Sequence, residues 1–270
     1  MARQHEFYTH GHSQPVVDAH AQRTVTNSAQ FLVPDLTDGV ELLDFGCGPG
    51  SITAGLAEHV GSQGRVVGVD SDAGVLAIAE RDHPAPNVTY LQASVYTLPF
   101  PDESFDVAYG HQILQHLADP VAALVEVRRV LRPGGLVAVR DGDFGSMVHY
   151  PRYPALDRWL DVYQRVARRN GGEPDAGRRL HEWVSAAGFT DAIASVSSWH
   201  YTTPEQRGEW AKMWADRIRV PRFAEQVKAL NDGTDVDELA AAWLEWAREP
   251  AGWFAFLHGE VLAVKPQIDR

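Results

Sequence analysis

The chain has 270 residues, 44% of them apolar, and carries a formal net charge of −12. That length buries a full core in one or two domains, and the charge argues against nonspecific nucleic-acid binding, because a phosphate polymer is repelled. Its single cysteine, Cys47, cannot form an internal disulfide and gives no sign of an oxidising compartment. The opening MARQHEFYTHGHS lacks the apolar stretch of a signal sequence, and no segment is apolar for long enough to span a bilayer. A soluble cytoplasmic protein is therefore expected.

In chain order, a helical leader is expected from about residue 15 to 33. VELLDFG (40–46) is a nearly continuous apolar run, as in a strand buried on both faces. SITAGLAEHV (51–60) has helical spacing and is closed by Gly61. RVVGVD (65–70) is a second strand, AGVLAIAERD (73–82) a helix stopped before Pro84, NVTYLQA (87–93) a third strand and SFDVAYG (104–110) a fourth. PVAALVEVRRVLRP (120–133) opens on Pro and ends at Pro133-Gly134-Gly135, which marks both ends of a helix. GLVAVRD (135–141) is a fifth strand, with RDGDFGS expected as the loop after it. Strands alternating with helices in this rhythm imply right-handed crossovers and a parallel sheet.

The ELLDFGCGPG stretch (41–50) then places a glycine-rich turn at the carboxyl end of the first strand, where open α/β sheets bind ligands. Its glycines are spaced G-x-G-x-G; a dinucleotide pattern would need a glycine at 51, which is Ser51. Asp70 ends the second strand, 20 residues after Gly50, where a carboxylate accepts hydrogen bonds from both ribose hydroxyls. A helix-cap role for Asp70 is the weaker reading, since Ser71 and Asp72 are better placed. NAD and S-adenosylmethionine share that ribose, so turn and carboxylate leave both open.

Three blocks in order, LLDFGCGPGSIT, LPFPDESFDVA and RVLRPGG, span residues 42–135. Together they resemble the class I S-adenosylmethionine-dependent methyltransferases, in particular the ubiquinone/menaquinone-biosynthesis-like subgroup that acts on small molecules. The resemblance implies a Rossmann-like α/β fold: seven mostly parallel strands, the last antiparallel, with methyl transfer from S-adenosylmethionine and no metal. It implies an N-terminal helical lid (1–33) over a core (34–201 and 251–270); the residues between, which that fold does not need, read as helices and are expected to form a cap inserted before the last strand (202–250). Carried over by position, Gly46, Gly48 and Gly50 form the cofactor turn and Asp44 steadies its base. Asp70 takes the ribose hydroxyls, and Ser71 sits beside the adenine. Four residues before the Leu of LPF the family usually has an Asp that accepts from the adenine amine; here Ser94 stands there, still an acceptor but without charge. Val95 offers its backbone N–H to the ring, and Arg23 on the leader is a candidate for the cofactor carboxylate, against the blander reading of a solvated surface arginine.

The donor is already activated, so the protein mainly aligns the acceptor and excludes water. His111, the first ionisable side chain past the fourth strand, is the candidate general base, with a pKa expected close to operating pH. Gln112 and Asp141 are candidates for substrate contact, although Asp141 and Asp143 read equally as turn residues. His116 is expected to be a packed histidine. Tyr8 and His10 on the leader are candidates to close the site. His5, His10 and His12 lack the Cys or carboxylate partners of a metal site. Six of the eight tryptophans fall between 199 and 253; Trp210 and Trp214 share a helix face, either as packing or as the wall of an aromatic-binding pocket for an indole or phenol. The competing classes are a nicotinamide-dependent oxidoreductase and a protein of this fold that binds the cofactor without methylating. The sequence leaves open monomer or homodimer and names no acceptor atom.

Overall fold

The computed structural model describes residues 23–267; Tyr8 and His10 lie outside them. Seven strands form one sheet in the order β3-β2-β1-β4-β5-β7-β6. They are β1 (Glu41–Phe45), β2 (Arg65–Asp70), β3 (Val88–Gln92), β4 (Phe105–His111), β5 (Leu131–Tyr150), β6 (Thr190–Tyr201) and β7 (Trp253–Val264). β1 to β5 pair in parallel, while β7 runs antiparallel to both β5 and β6. The order reverses between β1 and β4, which puts a crevice at their carboxyl ends.

The helices follow from their caps. α1 (Val25–Ser28) is a single turn with a Thr24/Asn27 capping box. α2 (Ser51–His59) starts directly from Gly50. α3 (Ala73–Asp82) is capped by Asp72, which accepts the Val75 N–H at 2.9 Å. α4 (Pro120–Val130) has Pro at its first position and Asp119 accepting the Ala122 N–H at 2.9 Å. α5 (Pro154–Arg169), α6 (Leu180–Ala186), α7 (Pro204–Ile218), α8 (Pro221–Lys228) and α9 (Val236–Trp246) complete the set.

Two apolar layers sandwich the sheet. One packs α4 and α6 on it through Leu124, Val127, Leu180 and Val184; the other packs α1 and α2 on it through Val25, Leu32, Ile52 and Leu56. A further core joins α5, α7, α8 and α9 to the far ends of β5 and β7, with Trp159, Trp210, Trp214, Trp243 and Trp246 buried against Phe144, Phe254 and Phe256.

β5 departs from expectation. It runs to Tyr150, so RDGDFGS is strand and not loop, because β7 lies alongside and pairs with it as far as Tyr150↔Trp253, with one register shift between Asp143 and Val148. An apolar count ending at Val139 misses a strand whose outer half is paired with β7 and anchored by Phe144 and Met147 in the tryptophan-rich core.

Candidate active site

Gly46, Gly48 and Gly50 have φ of 76°, 54° and 86°, the left-handed region that side chains resist. The N–H groups of Gly46 and Cys47 donate to the Val69 carbonyl at 2.7 and 3.0 Å, which pins the turn to β2. A Cβ on Gly46 would fall 2.6 Å from Ile113 Cδ1, and one on Gly50 2.5 Å from the Tyr90 hydroxyl. Gly48 differs: no protein atom lies within 4 Å of its Cβ position. Asp70 accepts the N–H of Gly48 through one oxygen and that of Asp72 through the other, both at 3.1 Å. The cap of α3 is Asp72, one of the two candidates in VDSD. Asp44, fully buried on β1, accepts the Thr53 hydroxyl at 2.6 Å. Burial pushes its carboxyl up to about 7, with Thr53 opposing and the Asp70 charge adding.

These groups open onto a cavity of about 280 Å³. Of the residues named from sequence, Arg23, Asp44, Gly46, Gly48, Asp70, Ser71, Ser94, Val95, His111 and Gln112 line it. Gly50 is not on its wall; its part is to launch α2. Ser94 is engaged locally, accepting the Tyr96 N–H at 3.3 Å. Arg23 is half-buried on the cavity wall, with its guanidinium 5.7 Å from the Trp199 ring, and so is not a solvated surface residue. His116 also lines the cavity, its ring 3.1 Å from the Gln115 amide, while Asp119 is spent on capping α4.

His111 is the last residue of β4 and is 6% exposed. Neither ring nitrogen has a well-formed hydrogen bond. Burial, then the charges of Arg23 and Arg140, hold its pKa well below 6.5, which corrects the expectation of a base poised near neutral pH. Next to it Gln112 adopts φ 50°, unusual for a residue with a side chain. Its N–H donates to the Arg140 carbonyl at 2.7 Å and its amide meets His258 Nε2 at 2.8 Å. Arg140, Trp199 and His258 lie behind His111, off the cavity wall; Trp199 is one of the six clustered tryptophans, while Arg140 and His258 were not singled out from the sequence. The signal was there: a charge in AVRD and a histidine in FLHGE, both inside apolar strands where polar groups need partners.

The other substrate candidates lie elsewhere. Asp141 is fully buried and accepts the Gln115 N–H at 3.2 Å; Asp143 is paired with Arg178 at 2.6 and 2.8 Å. Neither is on the cavity wall. Trp210 and Trp214 pack edge to face with each other, against Tyr201 and Phe144, in the tryptophan-rich core away from the cavity. Among the described residues no group of three His, Cys, Asp or Glu side chains is placed to hold a metal, and no helix is long and apolar enough to cross a membrane.

Parallel sheet, left-handed glycine turn and acidic β2 terminus define a nucleoside-binding α/β fold. Residues 43–139 match the family described as "Methyltransferase domain". The chain is 31% identical, over 97% of both chains, to an uncharacterized methyltransferase of Schizosaccharomyces pombe. It is 40% identical to the demethylmenaquinone methyltransferase of Lactococcus lactis over 64% of this chain and 76% of that one. Among solved structures, a phosphoethanolamine N-methyltransferase of Haemonchus contortus bound to S-adenosylhomocysteine superposes with a TM-score of 0.54 at 22% identity, covering 86% of this chain and 50% of that one. The chain belongs to the class I S-adenosylmethionine-dependent methyltransferases. That membership sets aside the nicotinamide alternative.

Proposed function

We propose that this enzyme methylates a small, partly apolar aromatic molecule in the cytoplasm. The observation that carries the reading is the single cavity wall shared by Gly48, Asp70 and His111: it joins a nucleoside end to an acceptor end. Gly48 leaves room for backbone contact with a ligand, and Asp70 is held by two N–H groups with its lone pairs directed by them. These residues, with Asp44, Ser71, Ser94, Val95 and Arg23, would hold S-adenosylmethionine. When bound, it supplies a methyl group on a sulfonium whose S–C bonding pair returns to sulfur as the acceptor's lone pair takes the carbon.

The chain's own part is to orient and to exclude water. Asp70 fixes the sugar by charge-assisted hydrogen bonds. His111 and Gln112 face the far end of the cavity and there meet the acceptor. An aromatic acceptor agrees with the rings gathered behind them, Tyr109 stacked on His111 at 6.5 Å and Trp199 at 6.1 Å. The tryptophans at 210 and 214 shape this end only through packing. A mass-shift screen of phenols, hydroquinones, indoles and aliphatic amines with S-adenosylmethionine tests the reading. A gain of one methyl on an aromatic member is expected; turnover confined to aliphatic amines would overturn it.

A further inference from the structure

One face of the sheet is left bare at its outer end. Residues directly opposed across β5, β7 and β6 share a face: Tyr150 with Trp253, Val148 with Ala255 and His200, Leu257 with Ser198, and Gly259 with Val196. At Gly259 this face meets Gly177, and further inward α6 covers it, with Val261 and Ala263 buried beneath. Outward of Gly259 the opposite face buries Phe254 and Phe256 in the tryptophan-rich core. On this one Val148, Tyr150, Val196, Trp253 and Leu257 are exposed, Val196 to 64% and Tyr150 to 62%. They are five of the nine large apolar side chains exposed among the described residues, so the exposure is gathered in one strip and not scattered.

The strip has no Lys, Arg, Asp or Glu; its remaining members are Ala255, Ser198 and His200. The charges that flank it along β5 are paired, Asp143 with Arg178 at 2.6 Å and Arg152 with Asp157 at 2.9 Å. On a chain of net charge −12, such a surface attracts neither nucleic acid nor an anionic membrane, and it gives a basic partner no acids to hold. A second copy fits it from both sides. Under a two-fold axis apolar surface meets apolar surface, and no like charges come together at the centre. The accessible surface of these eight side chains is roughly 600 Å² per copy, so a two-fold pair buries roughly 1,200 Å², the lower end of stable interfaces. Tyr150 and Trp253, opposed across β5 and β7, are of the residue types that anchor such contacts. β6 is also the last strand of the sheet, and from Ile193 to Tyr201 it has no Pro, Lys or carboxylate to blunt its edge and keep a second sheet away.

We propose that two copies of this chain pack through this strip, sheet face on sheet face, as a two-fold homodimer. Packed sheets of this kind lie about 10 Å apart, with the side chains of the two strips interdigitated. No strip residue lines the cavity, so each copy keeps a complete site of its own, and the inference does not depend on which acceptor is methylated.

Sedimentation equilibrium on the full chain tests it, and a mass twice that of the chain is expected in the micromolar range. Val196→Glu and Tyr150→Glu each bury a charge in the two-fold contact and should weaken the dimer by at least about thirtyfold, as loss of an anchoring residue does. Both side chains are largely exposed in the single chain, so thermal melting and S-adenosylhomocysteine affinity should stay as in wild type. Val125→Glu, at another exposed apolar residue on α4 and away from the strip, should leave the dimer intact. The wild-type mass decides even where a variant does not fold. A wild-type chain that sediments as a monomer throughout, a dimer that survives both strip substitutions in folded protein, or one that Val125→Glu disrupts as strongly would each overturn the assignment.

Discussion

The two ends of the cavity are built on opposite principles. At the nucleoside end the polar groups have partners within the chain: Asp70 holds two backbone N–H groups, Asp44 holds Thr53, and the turn N–H groups hold Val69. At the acceptor end His111, Arg140 and His258 are buried with nitrogen atoms unmatched. The first end is braced by its own bonding. The second leaves four buried nitrogen atoms without a well-formed hydrogen bond, and of the three residues only His111 lines the cavity.

Substitutions can break that contrast at either end. The largest effect is expected from Gly50→Val. A β-branched residue at φ 86° costs about 1–3 kcal/mol in backbone strain, and its Cβ would meet Tyr90 and Ala79 at 2.5 and 2.8 Å. Calorimetry should find no S-adenosylhomocysteine binding, whereas normal affinity would show that the turn can give. Asp70→Ala removes the charged acceptor and frees the Gly48 N–H. Binding should weaken by about 1.5–3 kcal/mol, the worth of a charge-assisted hydrogen bond, and an unchanged isotherm from a folded variant would remove Asp70 from the ribose site.

A third substitution probes a buried carboxyl on β5. Burial raises the Asp141 carboxyl to about 8, against 3.8 for a free one. The native state therefore keeps a proton that the unfolded chain loses above pH 4, and the contribution of this group to wild-type stability falls as pH rises from about 4 to 8. Asp141→Asn keeps the oxygen that Gln115 bonds and cannot ionise. It should gain on wild type over that window by at most about 1.4 kcal/mol per pH unit. Parallel denaturation curves for the two proteins at pH 5 and pH 8 would refute the shift. Asp44, raised to about 7, acts with the same sign in both proteins and cancels from the difference. The smallest effect is expected at His111. A general base replaced by Asn would cost roughly 10²–10⁴-fold in turnover. A neutral donor replaced by Asn, which still donates, should cost less than about tenfold, and a loss in the larger range would restore the proton-accepting role.

The same contrast explains what could be read from the sequence. The nucleoside end is made by residues 44 to 95, in consecutive strand-turn-helix units where glycine spacing and one carboxylate sit at short, fixed offsets. Local chemistry writes it, so the parallel sheet and the glycine turn at the end of its first strand were legible, and the α3 cap was narrowed to Ser71 or Asp72. The acceptor end joins residues 111, 140, 199 and 258 through the pairing of four strands, and no spacing announces that His258 will lie beside Gln112. His111 stood out because it closes a strand; its pKa lies well below the expected range because burial, and then arginines from elsewhere in the chain, depress it. Trp210 and Trp214 were rightly placed on one helix face, but helical spacing says only that they share a face, not what that face meets.

The long pairing of β5 with β7 has a mechanical consequence. The ladder runs from Leu136↔Val264 in the sheet to Tyr150↔Trp253 among the tryptophans, so two separate apolar cores share the same pair of strands. Buried Arg207 rivets the outer one, with hydrogen bonds to the carbonyls of Gly252 at 3.0 Å and Glu249 at 2.8 Å and to that of Thr202. A helical layer fastened this way cannot swing open on a flexible joint, because tilting it would tear ladder bonds out of the sheet. In hydrogen exchange, the amides of α7 and α9 should open together with those of β7 as one cooperative unit, and substrate should enter without them moving apart.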